Sequence, residues 1–255
     1  MNIQEATETL WQSAKHWSSP AATLQKTLTL PDAYQVQLGI LARWQEAGEQ
    51  LGGWKIGLSA EGARKMFGLQ APISAYLLAS RHFSSGHTFT HAALGRPIIE
   101  SELCFIIGQH LRGPGVTREQ ALAAVSAVAP AFEIVDMRVD MRADMPLGVA
   151  DAVAQWGYVT GTAVTPYPKN LDLGQVRVEM QKNGELVEHV TGKDVIDNQL
   201  DSIAWLANHL AEYGLALEPG QRVMSGSLTK PTPITKGDRW ESSFSGIGNV
   251  SATFI

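Results

Sequence analysis

Arg96-Pro-Ile-Ile-Glu-Ser-Glu-Leu-Cys-Phe-Ile-Ile-Gly108 places β-branched and aromatic residues between two turn signals, Gly95-Arg96-Pro97 and Gly108. That composition specifies a β-strand. Two acids lie inside it, Glu100 and Glu102. Side chains alternate along a strand, so both carboxylates point to one face, roughly 7 Å apart along the chain. Ile98, Cys104 and Ile106 share that face; Ile99, Leu103, Phe105 and Ile107 take the other. A strand apolar on both faces is buried on both, and two like charges there are costly without a positive partner. A divalent cation with oxygen ligands meets that need. A strand end at the surface, with its acids solvated or salt-bridged, accounts for the same pattern without one.

A second buried strand reads out of Pro130-Ala-Phe-Glu-Ile-Val-Asp136, with Glu133 as an acid among apolar neighbours. Three carboxylates on two apolar strands suit Mg²⁺ or Mn²⁺, with the remaining octahedral positions left to water or substrate. Two further charges stand in apolar settings. Lys55 lies between Trp54 and Ile56 in the short strand Gly53–Leu58. It is either a snorkelling lysine on an edge strand or a lysine held in a partly dry site, able to bind an anion or move protons. Asp151 is flanked by Ala150 and Ala152. The alternating run Asp136-Met-Arg-Val-Asp-Met-Arg-Ala-Asp144 reads as a solvated connection, with a mobile cover over a site as the other reading.

Around these strands the chain alternates helix and strand signals. Residues 3–17 and 31–47 have helical spacing, so the first fifty residues form a helical lead-in. Ser59 is placed to cap a helix through Phe67, and Thr117-Arg-Glu-Gln120 is a capping-box pattern opening a helix to about Ala127. Asn183-Gly184 between two strand-like runs is a hairpin signal, and Asp197 or Asn198 can cap a helix ending at Gly214. Segments 73–78, 86–90, 222–227, 239–244 and 249–254 read as strands, and His82, His87 and His91 as surface or loop histidines. The expected class is α+β, with 1–52 a helical N-terminal region and 53–255 one catalytic body.

Composition excludes several function classes. The 255 residues are 44% hydrophobic and 18% charged, with net charge -5 and no Lys/Arg run, which argues against nucleic acid and acidic membrane surfaces. Cys104 is the single cysteine, so an intramolecular disulfide and Cys-based zinc sites are excluded. No apolar run approaches the roughly 20 residues needed to span a bilayer. The polar, acidic start of the sequence is not a signal peptide, and a cytoplasmic location is expected. Nucleotide-binding and serine-hydrolase motifs are missing; Ser225-Gly-Ser227 has no histidine partner by spacing.

Six motifs in order carry a resemblance: Gly-Trp-Lys-Ile-Gly-Leu-Ser59, Glu-Ser-Glu-Leu103, Pro-Ala-Phe-Glu-Ile-Val-Asp136, Val-Ala-Asp151, Val-Met-Ser-Gly-Ser227 with the Lys-Gly-Asp238 turn, and Ser-Gly-Ile-Gly-Asn-Val250. From about residue 35 onward the chain resembles the hydratase/decarboxylase branch of the fumarylacetoacetate hydrolase superfamily. The resemblance implies a mixed β-roll or barrel-like body and a Mg²⁺ or Mn²⁺ ion on Glu100, Glu102 and Glu133. It also implies Lys55 and Asp151 as active-site groups, a small 2-oxo acid substrate, and a homo-oligomer, with association with a pathway enzyme as a further expectation. The implied reaction is hydration of a 2-hydroxypenta-2,4-dienoate-type acid to a 4-hydroxy-2-oxo acid in aromatic catabolism. Decarboxylation of a 4-oxalocrotonate-type acid is the alternative. One position departs: Ala152 stands where the family usually has asparagine. That departure leaves open a catalytically altered, 2-oxo acid-binding partner subunit.

Overall fold

The computed structural model describes residues 2–196 and 198–255. Two helices lead the chain, α1 (Ile3–Ala14) and α2 (Leu30–Glu46). Asn2 caps the first, and Thr29 with Asp32 forms a capping box on the second, with Pro31 in its first turn. Trp11 and Trp44 meet edge to face at 4.8 Å between the two. The first helix stops at Ala14, short of the expected residue 17. Trp17 instead takes a left-handed backbone, φ 51°, and its indole N–H donates to the Asp136 carboxylate at 2.6 Å. A long-range anchor therefore overrides the helical periodicity at that end.

Among the described residues thirteen strands follow: β1 (Leu51–Gly57), β2 (Ile73–Leu78), β3 (His82–Ser84), β4 (His87–Phe89), β5 (Pro97–Ile107), β6 (Val125–Asp136), β7 (Gln155–Thr160), β8 (Arg177–Lys182), β9 (Glu185–Thr191), β10 (Arg222–Met224), β11 (Thr232–Pro233), β12 (Arg239–Phe244) and β13 (Gly248–Phe254). Eight form a curled, half-barrel sheet in the order β2-β1-β10-β5-β6-β7-β3, with β11 also on β5. The other five form the order β4-β13-β12-β8-β9. Between β8 and β9, Asn183 (φ 55°) and Gly184 (φ 86°) make the tight turn that their sequence signals. His87 lies exposed in β4, inside the segment expected as a strand, and His82 lies in the short strand β3, which was not expected.

Four shorter or later helices are α3 (Glu61–Met66), α4 (Arg118–Ala124), α5 (Met145–Ala150) and α6 (Gln199–Glu212). Thr117 and Gln120 close the expected capping box on α4, but the helix ends at Ala124 rather than Ala127. Val125–Ala129 pairs with the far half of β5 instead. An eleven-residue strand needs backbone partners along its whole length, and that outweighs the helix propensity of alanine. Ser59 does not cap α3; Ala60 occupies the cap position, and Ser59 Oγ donates to the Ser225 carbonyl at 3.0 Å. Asn198 caps α6, while the other expected cap, Asp197, lies outside the described residues.

The sheet is interrupted where it matters. Along one edge β5 is paired with β6 over its whole length, with one register shift between Ile106 and Ile107. Along the other, β10 pairs Cys104–Ile106 and β11 pairs Ile98–Ile99. The loop between β10 and β11 bridges that gap: Ser225 N–H donates to Leu103 O at 3.2 Å, Leu228 N–H to Ser101 O at 2.9 Å, and Thr229 Oγ1 accepts from Ser101 N–H at 2.9 Å. One face of β5 feeds the main core through Ile99, Leu103 and Phe105. Cys104 on the other face packs with Ala129, Ala131, Tyr158 and Met224. Glu100 and Glu102 share that second face, as strand alternation requires.

Candidate active site

Pairing of β5 with β6 sets Glu100 directly opposite Glu133, with Glu102 two residues along. One oxygen from each of the three carboxylates lies within 4.8 Å of the others. Glu102 and Glu133 are 1% exposed, and Glu100 is partly open to a cleft. Burial, the Glu133 charge and the Glu100 charge hold the Glu102 carboxyl well above the usual carboxylate range. Burial and the Glu133 charge push Glu100 up to about 7. The Gly226 N–H, donated to Glu102 Oε2 at 3.0 Å, and Lys55 oppose this rise. Gly226 takes φ 106°, and a Cβ there would sit 1.9 Å from Ser59 Oγ, so glycine is required for that donor to reach the carboxylate.

Lys55 comes in from β1, two strands away in the sheet, and is 2% exposed. Its Nζ lies 2.8 Å from Glu133 Oε1 and donates to the Val153 carbonyl at 3.2 Å. The snorkelling alternative is thereby set aside: the ammonium points inward, at the carboxylates. A single cation against three carboxylates leaves the cluster short of positive charge. The donor set is all oxygen and formally anionic, which fits a hard divalent cation such as Mg²⁺ or Mn²⁺.

These four side chains form the floor of a cleft of about 270 Å³. Its walls are mostly apolar: Leu58, Phe67, Ile98, Val135, Met137 and Met141 among them. The 136–144 connection is therefore not a solvated loop. Met137, Asp140, Met141 and Arg142 line the cleft, Val139 is buried, and Asp144 caps α5 and accepts from Lys26 N–H at 2.6 Å. The sequence favours a solvated connection here and offers a cover over a site only as its second reading. The signal for the wall was the i, i+4 recurrence of methionine at 137 and 141, obscured by the charges between them. Gly226 as a ligand-holding donor was not foreseen: Ser225-Gly-Ser227 was weighed for hydrolysis and counted among the motifs of the resemblance.

Asp151 stands apart from this group. It lines a separate small cavity beneath the N-terminal helices, with Trp17, Trp44, Tyr76, Arg81 and Trp156. Its carboxylate is held by both Arg138 Nη2 and Arg138 Nε, the latter at 3.1 Å. Burial raises it to about 6 despite that partner. The structure therefore brings Lys55 and the three glutamates together and does not bring Asp151 to them. Between Asp151 and the cleft run Ala152, Val153 and Ala154, all buried and all left-handed, φ 54°, 53° and 56°. Three such residues without a glycine cost roughly 1–2 kcal/mol each. Asparagine tolerates this conformation better than alanine, which gives a physical meaning to the departure at Ala152.

A pH-dependent metal response follows from the raised carboxyls. A cation competes with protons for Glu100 and Glu102, so Mg²⁺ should raise Tm strongly at pH 8 and little at pH 5.5. Without metal the sign reverses. A carboxyl whose folded pKa is raised contributes stability below its unfolded value and loses it as pH rises through the folded one. Apo Tm should therefore fall between about pH 4.5 and pH 7. A Mg²⁺ shift equal at both pH values would contradict the cluster as a cation site.

A profile of the fumarylacetoacetate (FAA) hydrolase C-terminal region matches residues 69–255. The chain belongs to the fumarylacetoacetate hydrolase family. Within that family it is 34% identical over 239 residues to a 2-hydroxyhexa-2,4-dienoate hydratase of Comamonas testosteroni, covering 92% of this chain and 90% of the relative. It is 34% identical over 229 residues to a 4-oxalocrotonate decarboxylase of Pseudomonas sp. (strain CF600), covering 89% and 86%. The solved structure of 4-oxalocrotonate decarboxylase from Pseudomonas putida G7, complexed with magnesium and adipate, superposes with TM-score 0.92 at 30% identity, covering 99% of this chain and 97% of that one. The same decarboxylase has also been solved with calcium and acetate. Both the resemblance and the α+β, barrel-like fold read from the sequence hold. Among the described residues no helix is long and apolar enough to cross a membrane.

Proposed function

We propose that this chain is a divalent-metal-dependent lyase that hydrates a small 2-hydroxy-2,4-dienoate to a 4-hydroxy-2-oxo acid. The observation that carries the reading is the three-carboxylate cluster at the foot of an apolar cleft, with one buried lysine against it. Glu100, Glu102 and Glu133 would hold Mg²⁺ or Mn²⁺. A cation bound there supplies Lewis-acid stabilisation of negative charge on the C2 oxygen of a 2-oxo acid. Lys55, fixed between Glu133 and the Val153 carbonyl, lines the cleft beside the carboxylates, where a substrate's own carboxylate would meet the cation. It is the candidate for holding that anion or for moving a proton to and from the conjugated chain. The apolar walls restrict bulk water, which strengthens every charge interaction on the floor.

Decarboxylation of a 4-oxalocrotonate-type acid is the second reading, favoured by the close superposition on a decarboxylase. The cleft weighs against it. A substrate with a second carboxylate needs a second cation, and the one guanidinium among the residues lining the cleft, that of Arg142, belongs to an exposed residue. Offering a hydrocarbon-tailed 2-hydroxydienoate and a 2-oxo-enedioate, each with Mg²⁺, tests the choice. A 4-hydroxy-2-oxo product from the first is the expected result. CO₂ release from the second, with no hydrated product, establishes the decarboxylase. Neither product, with Mg²⁺ binding intact, points to a 2-oxo acid-binding partner subunit. A homo-oligomeric state, cytoplasmic location, place in aromatic catabolism and association with a pathway enzyme belong to the same proposal.

A further inference from the structure

Asp151 and Arg138 raise a question that the lyase reading does not answer. A buried carboxylate and a nearly buried guanidinium, 1% and 8% exposed at the side chain, face a cavity that is not the cleft. The guanidinium is held by more than its acid. Arg138 Nη1 donates to the Ser13 carbonyl at 3.1 Å and the Ser18 carbonyl at 3.3 Å, and the group lies 4.4 Å over the Trp17 ring. It is thereby fixed to the end of α1. Asp151 is the C-terminal cap residue of α5, and its own N–H donates to the Leu147 carbonyl at 2.9 Å. One side of Asp151 is thus tied to a helix end and the other to a fixed cation.

The next three residues are the left-handed turn Ala152–Ala154. Its middle carbonyl, Val153 O, accepts from Lys55 Nζ. Its middle side chain packs over Gly57, where a Cβ would lie 3.3 Å from Val153 Cγ1. Alanine and valine do not hold such a turn by themselves, so an outside constraint must impose it. The Arg138–Asp151 pair is the constraint at its start. We infer that Asp151 is a positioning residue rather than a proton carrier: with Arg138 it clamps the Ala152–Ala154 turn, whose Val153 carbonyl aims Lys55 at Glu133 and the substrate. Arg138, read from the sequence as part of a solvated run, becomes the anchor of that chain of contacts.

The inference rests on the lyase reading, and the test separates the two. Kinetics with 2-hydroxypenta-2,4-dienoate and Mg²⁺ are compared for the parent, Asp151→Asn and Asp151→Ala. The amide oxygen of asparagine still accepts from Arg138 but the side chain cannot exchange a proton, so kcat should stay within about tenfold of the parent. Alanine removes the clamp, and kcat should fall about a hundredfold with KM and Mg²⁺ response nearly unchanged, as small misplacements of a reacting group do. Adding Ala152→Asn, which favours the left-handed turn, should recover part of that loss in the Asp151→Ala background. Asp151→Asn as inactive as Asp151→Ala, with no recovery, overturns the inference and makes Asp151 the proton carrier. Should Asp151→Ala not fold, Asp151→Asn decides by itself. Amide hydrogen exchange at Gln155, whose N–H donates to the Ala152 carbonyl, reads the clamp without any substrate. Exchange should quicken in Asp151→Ala and not in Asp151→Asn; equal exchange in all three counts against the clamp. A parent that turns over no dienoate sinks the lyase reading alone and leaves the exchange result to decide the clamp.

Discussion

Replacing Glu102 by glutamine is expected to lower dienoate turnover at least about a thousandfold, the worth of several kcal/mol of charge stabilisation at the reacting oxygen. The substitution preserves shape. Glu102 is 1% exposed, and its Oε2 accepts from the Gly226 N–H, a bond that an amide oxygen also accepts. What changes is one full charge out of three in the cluster, and one anionic ligand for a cation. The Mg²⁺ concentration for half-maximal activity should rise together with the fall in kcat. Stability of the metal-free protein should improve, because a buried carboxyl that resists ionisation is gone. Unchanged turnover with unchanged Mg²⁺ dependence would falsify the metal centre.

Lys55→Met should also lower kcat, but without the shift in Mg²⁺ dependence. Methionine fills the aliphatic part of the site and removes the ammonium. Loss of a positioned proton donor or anion partner costs about 10² to 10⁴ in kcat. The Mg²⁺ requirement should not rise, because Glu133 is released from its ion pair 2.8 Å away and becomes a freer ligand. Breaking a buried pair from one side destabilises a protein by about 3–5 kcal/mol. Here that loss should show in the metal-free protein and shrink when Mg²⁺ takes over the neutralisation of Glu133. Tm with and without Mg²⁺ therefore accompanies the kinetics. A variant within threefold of the parent would reduce Lys55 to a structural counter-ion, on the same order as a uniform-binding effect.

Glu100, Glu102 and Glu133 were legible in the sequence as candidates because two-residue periodicity sets an acid on a strand face shared with apolar residues, although a surface strand end accounted for the same pattern. Lys55 was legible for the same reason, although the choice between edge and interior needed the parallel pairing of β1 with β10 to settle it. Asp151 was visible as an acid among alanines, but the direction of its side chain was not. That direction depends on Arg138, thirteen residues away, and on a turn that no local propensity favours. The connection at 136–144 read first as solvated because its charges dominate its composition, while Val139 and Met141 pack on the core and Met137 lines the cleft. The end of α4 was misplaced because the backbone demand of β5 is a tertiary fact. Local pattern shows which residues sit in unfavourable company; it does not show whom they meet.

The interruption in the sheet beside Glu100 and Glu102 has a consequence for how such a site diversifies. The anionic side chains stand on β5, where pairing with β6 along the whole strand makes any shift expensive. Facing them across the gap is a connection that ends in exposed Lys230 and Pro231, the latter lining the cleft. Insertions or exchanges there can reshape the chamber without disturbing a single rung of the β5–β6 ladder. Gly226 is the fixed point, since no larger residue fits. Drift in what the enzyme accepts should therefore gather at 227–231 and along 137–142, while the floor stays constant. Two reactions as different as adding water and releasing CO₂ can then be reached from one foundation by rebuilding only its walls.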